Sequence, residues 1–156
     1  MPRMTRRPRA SRNAEPGTRN AKRTCGECRA CCITLSFAAA PGESNFTKPP
    51  NTPCQHLIQI GCGIYGERPS VCRRFECAWI SALNLPDALR PDRCGVLFCT
   101  NDHPDGHGYA VFAYELEPGA IDTDLPRWLI EQVVTELPVF LVRPGMPVEV
   151  LEGAGG

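Results

Sequence analysis

Residues 25–32 read Cys-Gly-Glu-Cys-Arg-Ala-Cys-Cys, and four more cysteines follow at Cys54, Cys62, Cys72 and Cys77. Eight of the ten cysteines therefore fall as Cys25-x2-Cys28-x2-Cys31-Cys32, Cys54-x7-Cys62 and Cys72-x4-Cys77. A Cys-x2-Cys turn bends both sulfurs onto one ion at about 2.3 Å each, and thiolates are the soft ligands that zinc and iron–sulfur clusters take. This stretch reads as a metal site. Adjacent residues of an extended chain point to opposite sides, so Cys31 and Cys32 are expected not to serve the same mononuclear ion. Eight thiolates suit two four-coordinate zinc sites, or one polynuclear cluster with the remaining cysteines bound elsewhere, and the spacing leaves that division open. The ferredoxin run Cys-x2-Cys-x2-Cys-x3-Cys-Pro is matched only as far as Cys31.

Working outward, Arg29, Arg68, Arg73 and Arg74 stand among these cysteines. A four-thiolate site carries net negative charge, which guanidinium groups offset while favouring the deprotonated, ligating thiolate. Solvated surface is the other reading of the same arginines.

The chain has 156 residues and zero formal net charge, a length expected to form one domain with a real core. The balance hides a split. Eight of the 17 basic residues but only one of the 17 acidic residues precede Cys25, leaving a leader of +7 and a remainder of −7. Residues 1–24 are rich in Arg, Pro, Asn and Gly and are expected to form a disordered basic arm. Without interleaved aromatics the arm argues against nucleic acid as the partner. It also lacks the apolar run of a secretory signal, and no stretch reaches the ~20 apolar residues of a membrane span. Vicinal and closely spaced cysteines are awkward for independent disulfides. These features predict a protein off the membrane, in a reducing, cytoplasmic compartment.

The fold class expected is α+β: a small, loop-rich, metal-stapled domain over 25–152 with a short antiparallel sheet and two helices. Its metal-binding part covers 25–80 and a scaffold covers 81–152. Ile33 to Ala40 reads as a short strand or bent helix, and Pro49, Pro50 and Pro53 mark a loop that delivers Cys54. Pro69 opens a predicted helix running to about Leu83, with Val71, Phe75, Ala78, Trp79 and Ala82 on one face. Cys72 and Cys77 are then about 140° apart, so either they serve different sites or the helix breaks between them. CGVLFCT, containing Cys94 and Cys99, reads as a strand paired with YAVFAYEL, both cysteines being core residues. A helix is expected from about Leu125 to Leu137, with Asp124 as cap and Leu125, Trp128, Leu129, Val133 and Leu137 as its apolar stripe. One or two strands and a Gly-rich tail complete the chain. His56, His103 and His107 are read as structural rather than ligating residues. No nucleophile with a paired base and no phosphate-cradling loop appears in the last third.

Cys54-Gln-His-Leu, Gly-Cys62-Gly-Ile-Tyr65, Glu67-Arg68-Pro69, Cys72-Arg73 and Phe75-Glu76-Cys77-x-Trp79, together with the first four cysteines, resemble the YkgJ-type cysteine-cluster family of zinc- or iron-chelating proteins. The resemblance covers about residues 25–80. It implies metal binding at Cys25, Cys28, Cys31, Cys32, Cys54, Cys62, Cys72 and Cys77. Members are also labelled iron–sulfur oxidoreductases, so three functions are carried forward. The first is a protein binding zinc or iron, including an iron–sulfur cluster. The second is a metal-dependent enzyme with Tyr65, His56, Arg73 and Arg74 as nearby polar groups. The third is a metal-stapled interaction module.

Overall fold

A computed structural model describes residues 23–43 and 46–154. The arm expected over residues 1–24 lies outside them except for Arg23 and Thr24, as do the last two residues of the tail. The chain is α+β, and its two halves differ in how much regular backbone they hold.

The first half is built of very short elements: α1 (Ala30–Thr34), the ribbon β1 (Phe37–Ala38) with β2 (Thr47–Lys48), the ribbon β3 (Leu57–Ile58) with β4 (Gly61–Cys62), then α2 (Ser70–Arg74) and α3 (Ala78–Ser81). Pro49 and Pro50, without an N–H, follow Lys48 directly and end the β1–β2 ribbon. One-turn helices leave most of their terminal backbone groups without intrahelical partners. The expected Pro69–Leu83 helix is therefore corrected to two turns. Phe75 (φ −71°, ψ 126°) and Cys77 (φ −71°, ψ 162°) are extended, breaking the helix between Cys72 and Cys77. The apolar stripe that suggested one helix is split between the two turns.

The second half opens with α4 (Pro91–Cys94) and holds a four-stranded sheet: β5 (Val96–Asp102), β6 (Tyr109–Glu115), β7 (Val139–Val142) and β8 (Glu149–Leu151), in that order. The hairpin of β5 and β6 pairs Phe98 with Ala113, as the alternating pattern predicts. The sheet is mixed rather than antiparallel, because β6 and β7 run parallel with Ala113 beside Leu141. A parallel pair needs a crossover, supplied here by α5 (Asp124–Val133). That helix starts after Thr123, whose hydroxyl donates to the Ala120 carbonyl at 2.7 Å, so Asp124 is its first residue and not its cap. Trp128, expected on the inner stripe, is 46% exposed, and Ile130 takes an inward place beside Leu129. Cys94 ends α4 instead of entering the strand, because Gly95 (φ +74°) turns the chain between them. A Cβ at Gly95 would lie 2.8 Å from that of Ala120, so both backbone and space require glycine there.

Period-two alternation gives the sheet two working faces. Val96, Phe98, Val111, Ala113, Val139 and Leu141 pack on Leu129 and Ile130 of α5. On the opposite face Leu97 and Tyr114 join Ala30, Leu35, Cys77 and Trp79, which docks the cysteine-rich half onto the sheet.

Candidate metal centre

The cysteine-rich half is assembled by turns. The Cys28 amide donates to the Cys25 carbonyl at 2.9 Å, with Gly26 (φ +53°) inside the turn, so Cys25-x2-Cys28 closes tightly. Cys31 and Cys32 follow in α1, where successive side chains diverge by about 100°. The loop through Pro49, Pro50 and Pro53 returns to dock at Cys54, whose amide donates to the Cys32 carbonyl at 2.9 Å. Two residues on, the His56 amide points at Cys54 Sγ, 3.4 Å away. Hairpin pairing of Leu57 with Cys62 then sets Cys62 near Cys54. Gly61 (φ +122°) lets this hairpin close on the first turn, since a Cβ there would lie 2.9 Å from the Gly26 carbonyl oxygen. Cys72 comes from α2, and Cys77, 9% exposed, from the break before α3.

These segments enclose two adjoining cavities. The first, about 60 Å³, is lined by seven of the eight cysteines, all but Cys77. Cys77 lines the second, about 40 Å³, together with Cys25, Cys28, Cys31 and Cys72. Organic ligand sites are about 300–1,000 Å³, so these are spaces on the scale of ions. No carboxylate lines either cavity. All ten cysteines are free thiols. Among the described residues, no three His, Cys, Asp or Glu side chains are grouped tightly enough to hold an ion as they stand. The donor chemistry suits zinc or iron, and to hold either ion the sulfurs would have to draw inward.

Charge at the site follows from crowding. Burial, and then the neighbouring thiolates of Cys77 and Cys28, push the Cys25 thiol up. Burial and the charges of Cys32, Cys54 and Cys62 do the same to Cys72. Cys31 is raised first by its hydrogen bond to Cys32 and then by burial. That bond lowers Cys32 to about 7 against the effect of burial, helped by Lys48 and Arg68. A set of sulfurs that raise one another's pKa is what a bound cation relieves.

Two cationic side chains face these sulfurs. Lys48, only 3% exposed, lines the first cavity and donates its ammonium protons to the carbonyls of Ile33 and Pro49, both at 3.0 Å, and of Leu35. Arg68 lines both cavities, folded over the Tyr65 ring with its guanidinium carbon 3.8 Å from the centroid. Sequence reasoning missed Lys48, because a lysine between Thr47 and two prolines looks like exposed loop. The other arginines stand outside: Arg29 is exposed, Arg73 lies 3.7 Å from Glu43 on the surface, and Arg74 borders a separate groove. Of the polar candidates, His56 and Tyr65 line the first cavity, but Arg73 and Arg74 do not.

Cys94 and Cys99 line neither cavity. Burial pushes Cys99 up to about 12, and its 1% exposure makes it a core residue as expected. Cys94 is half-buried, its thiol donating to the Val96 carbonyl at 3.2 Å. His103 sits in the β5–β6 turn 2.7 Å from Asp105, a local contact that shapes the loop.

Fold and site together define an α+β chain whose first half is organised around a thiol-lined pair of cavities. No protein-family model, curated protein or solved structure matches it. Among the described residues, no helix is long and apolar enough to cross a membrane.

Proposed function

We propose that this chain is a metal-binding protein of the YkgJ type, in which Cys25, Cys28, Cys31, Cys32, Cys54, Cys62, Cys72 and Cys77 hold zinc or iron. The observation that carries the reading is convergence: eight free thiols from five separate short segments line two adjoining cavities of ionic size, with no carboxylate among them. A bound ion supplies cross-links between turns that lack a regular ladder, and structural zinc contributes about 10 kcal/mol or more of binding free energy to such folds. Lys48 and Arg68 offset the thiolate charge. A reducing compartment such as the cytoplasm would keep this many thiols free to ligate.

An iron–sulfur oxidoreductase is the second reading. The lowered Cys32 thiol and the aromatic–cation wall of Tyr65 and Arg68 beside the first cavity favour it. Anaerobic purification followed by elemental analysis and an absorption spectrum tests both. Zinc near two per chain without sulfide supports the structural or chelating protein. Iron with matching acid-labile sulfide and visible absorption supports the cluster. A folded protein that binds neither metal overturns the proposal.

A further inference from the structure

We propose that the eight thiols are two separate four-thiolate zinc sites: an inner one of Cys25, Cys28, Cys31 and Cys77, and an outer one of Cys32, Cys54, Cys62 and Cys72. This division deepens the metal-binding reading and rests on it.

The inner set is drawn together by the apolar core. Cys77 is buried in the cluster that joins the cysteine-rich half to the sheet, and Cys28 and Cys31 pack against that same cluster. The tight turn to Cys28 brings Cys25 alongside. Cys77 lines the second cavity with these three and is absent from the first. The outer set is drawn together by the backbone. The Cys54 amide bonds to the Cys32 carbonyl, and the hairpin returns Cys62 to the same place. None of Cys32, Cys54 and Cys62 lines the second cavity. Cys72 borders both cavities, and its assignment follows by completion: the turn ties Cys25 to Cys28, which fills the inner set, and the three sulfurs that line the first cavity alone need a fourth.

The count agrees with the division: each set holds four sulfurs, the number a tetrahedral zinc takes. Cys31 and Cys32, hydrogen-bonded thiol to thiol, stand where the two sets meet. Cys72 and Cys77 lie on either side of the break between α2 and α3. Each zinc with four thiolates carries a formal charge of about −2. Lys48 lines the first cavity, where the outer set lies, and Arg68 lines both cavities.

The test uses the intact wild-type chain stripped of metal, reloaded with one equivalent of zinc, alkylated with iodoacetamide and read by top-down mass spectrometry. The expected result is two populations of one-zinc molecules, each protecting one complete set of four. Protection that mixes the sets within single molecules, or one ion or sulfide-containing cluster shielding six or more sulfurs, overturns the division but leaves metal binding intact. Failure of the wild-type chain to take up any zinc overturns the metal-binding reading and the division with it. Paired variants give a second readout by native mass spectrometry. Cys28→Ser with Cys77→Ser retains one zinc, as does Cys54→Ser with Cys62→Ser, whereas Cys28→Ser with Cys62→Ser loses both. Equal loss in all three pairs contradicts the assignment.

Discussion

The backbone amide of Cys54 donates a 2.9 Å hydrogen bond to the carbonyl of Cys32, joining residues 22 positions apart across a proline-rich loop. That bond fixes where the returning chain meets α1, and the β3–β4 hairpin starts from it. A cluster assembled on such single bonds is held in place by few regular contacts. Metal ligation, as proposed, would supply much of its cohesion.

Removing the metal is therefore expected to loosen the two halves unequally. In hydrogen exchange, amides of residues 25–80 lose protection when the loaded protein is stripped, while those of β5, β6 and β7 keep theirs, because α5 and the sheet share a core that none of the eight clustered cysteines enters. Equal change in both halves, or none, contradicts this.

Lys48 holds three carbonyls from a position 3% exposed. Lys48→Met leaves those acceptors without a donor and removes a positive charge facing the thiolates. The expected loss is about 2–4 kcal/mol in urea unfolding. A loss below about 0.5 kcal/mol shows that water replaces the ammonium at no cost.

Cys32, lowered to about 7, is expected to be the most reactive thiol of the metal-free protein at neutral pH. Because its folded pKa lies below that of the free thiol, near 8.5, this group stabilises the fold fully above the free-thiol value. That contribution declines as pH falls through about 7. Site-resolved alkylation rates between pH 5.5 and 9 measure the titration. A Cys32 midpoint at or above 8.5 defeats the prediction.

Gly61 and Gly66 make a matched pair. Gly61→Ala forces a side chain toward the Gly26 carbonyl at a positive φ, whereas a methyl group at Gly66 meets open space. The first substitution is expected to cost about 1–3 kcal/mol and to weaken metal retention, and the second to be nearly neutral. Metal content after dialysis and thermal melting report both effects.

Arg23 donates to the carbonyls of Trp79 at 2.7 Å and Leu85 at 2.6 Å, with its guanidinium 4.6 Å from the Trp79 ring centre. Arg23→Ala uncaps the end of α3 and exposes that ring, at an expected cost of about 1–3 kcal/mol and with a red shift of tryptophan emission. An unchanged spectrum and melting curve rule the clamp out as a stabilising contact.

Local signals determined what the sequence by itself could determine. The Cys-x2-Cys turn, the α+β class and the hairpin of β5 with β6 were legible because turn chemistry and period-two alternation act over a few residues. The lysine against the thiols and the parallel pairing of β7 with β6 were not, and the break at Phe75–Cys77 was legible only as one of two alternatives left by the separation of Cys72 and Cys77. The apolar spacing from Val71 to Ala82 runs through that break unchanged, and strand direction depends on where α5 packs. Which sulfurs share a cavity was decided only by the tertiary structure. Cys54, Cys62 and Cys72 arrive on a loop, a two-residue strand and a one-turn helix, all too short to carry periodicity, and Cys77 is placed by the apolar cluster around Trp79 and Leu97. Spacing fixes ligands that lie within one turn of each other, while long-range packing alone brings the rest to them.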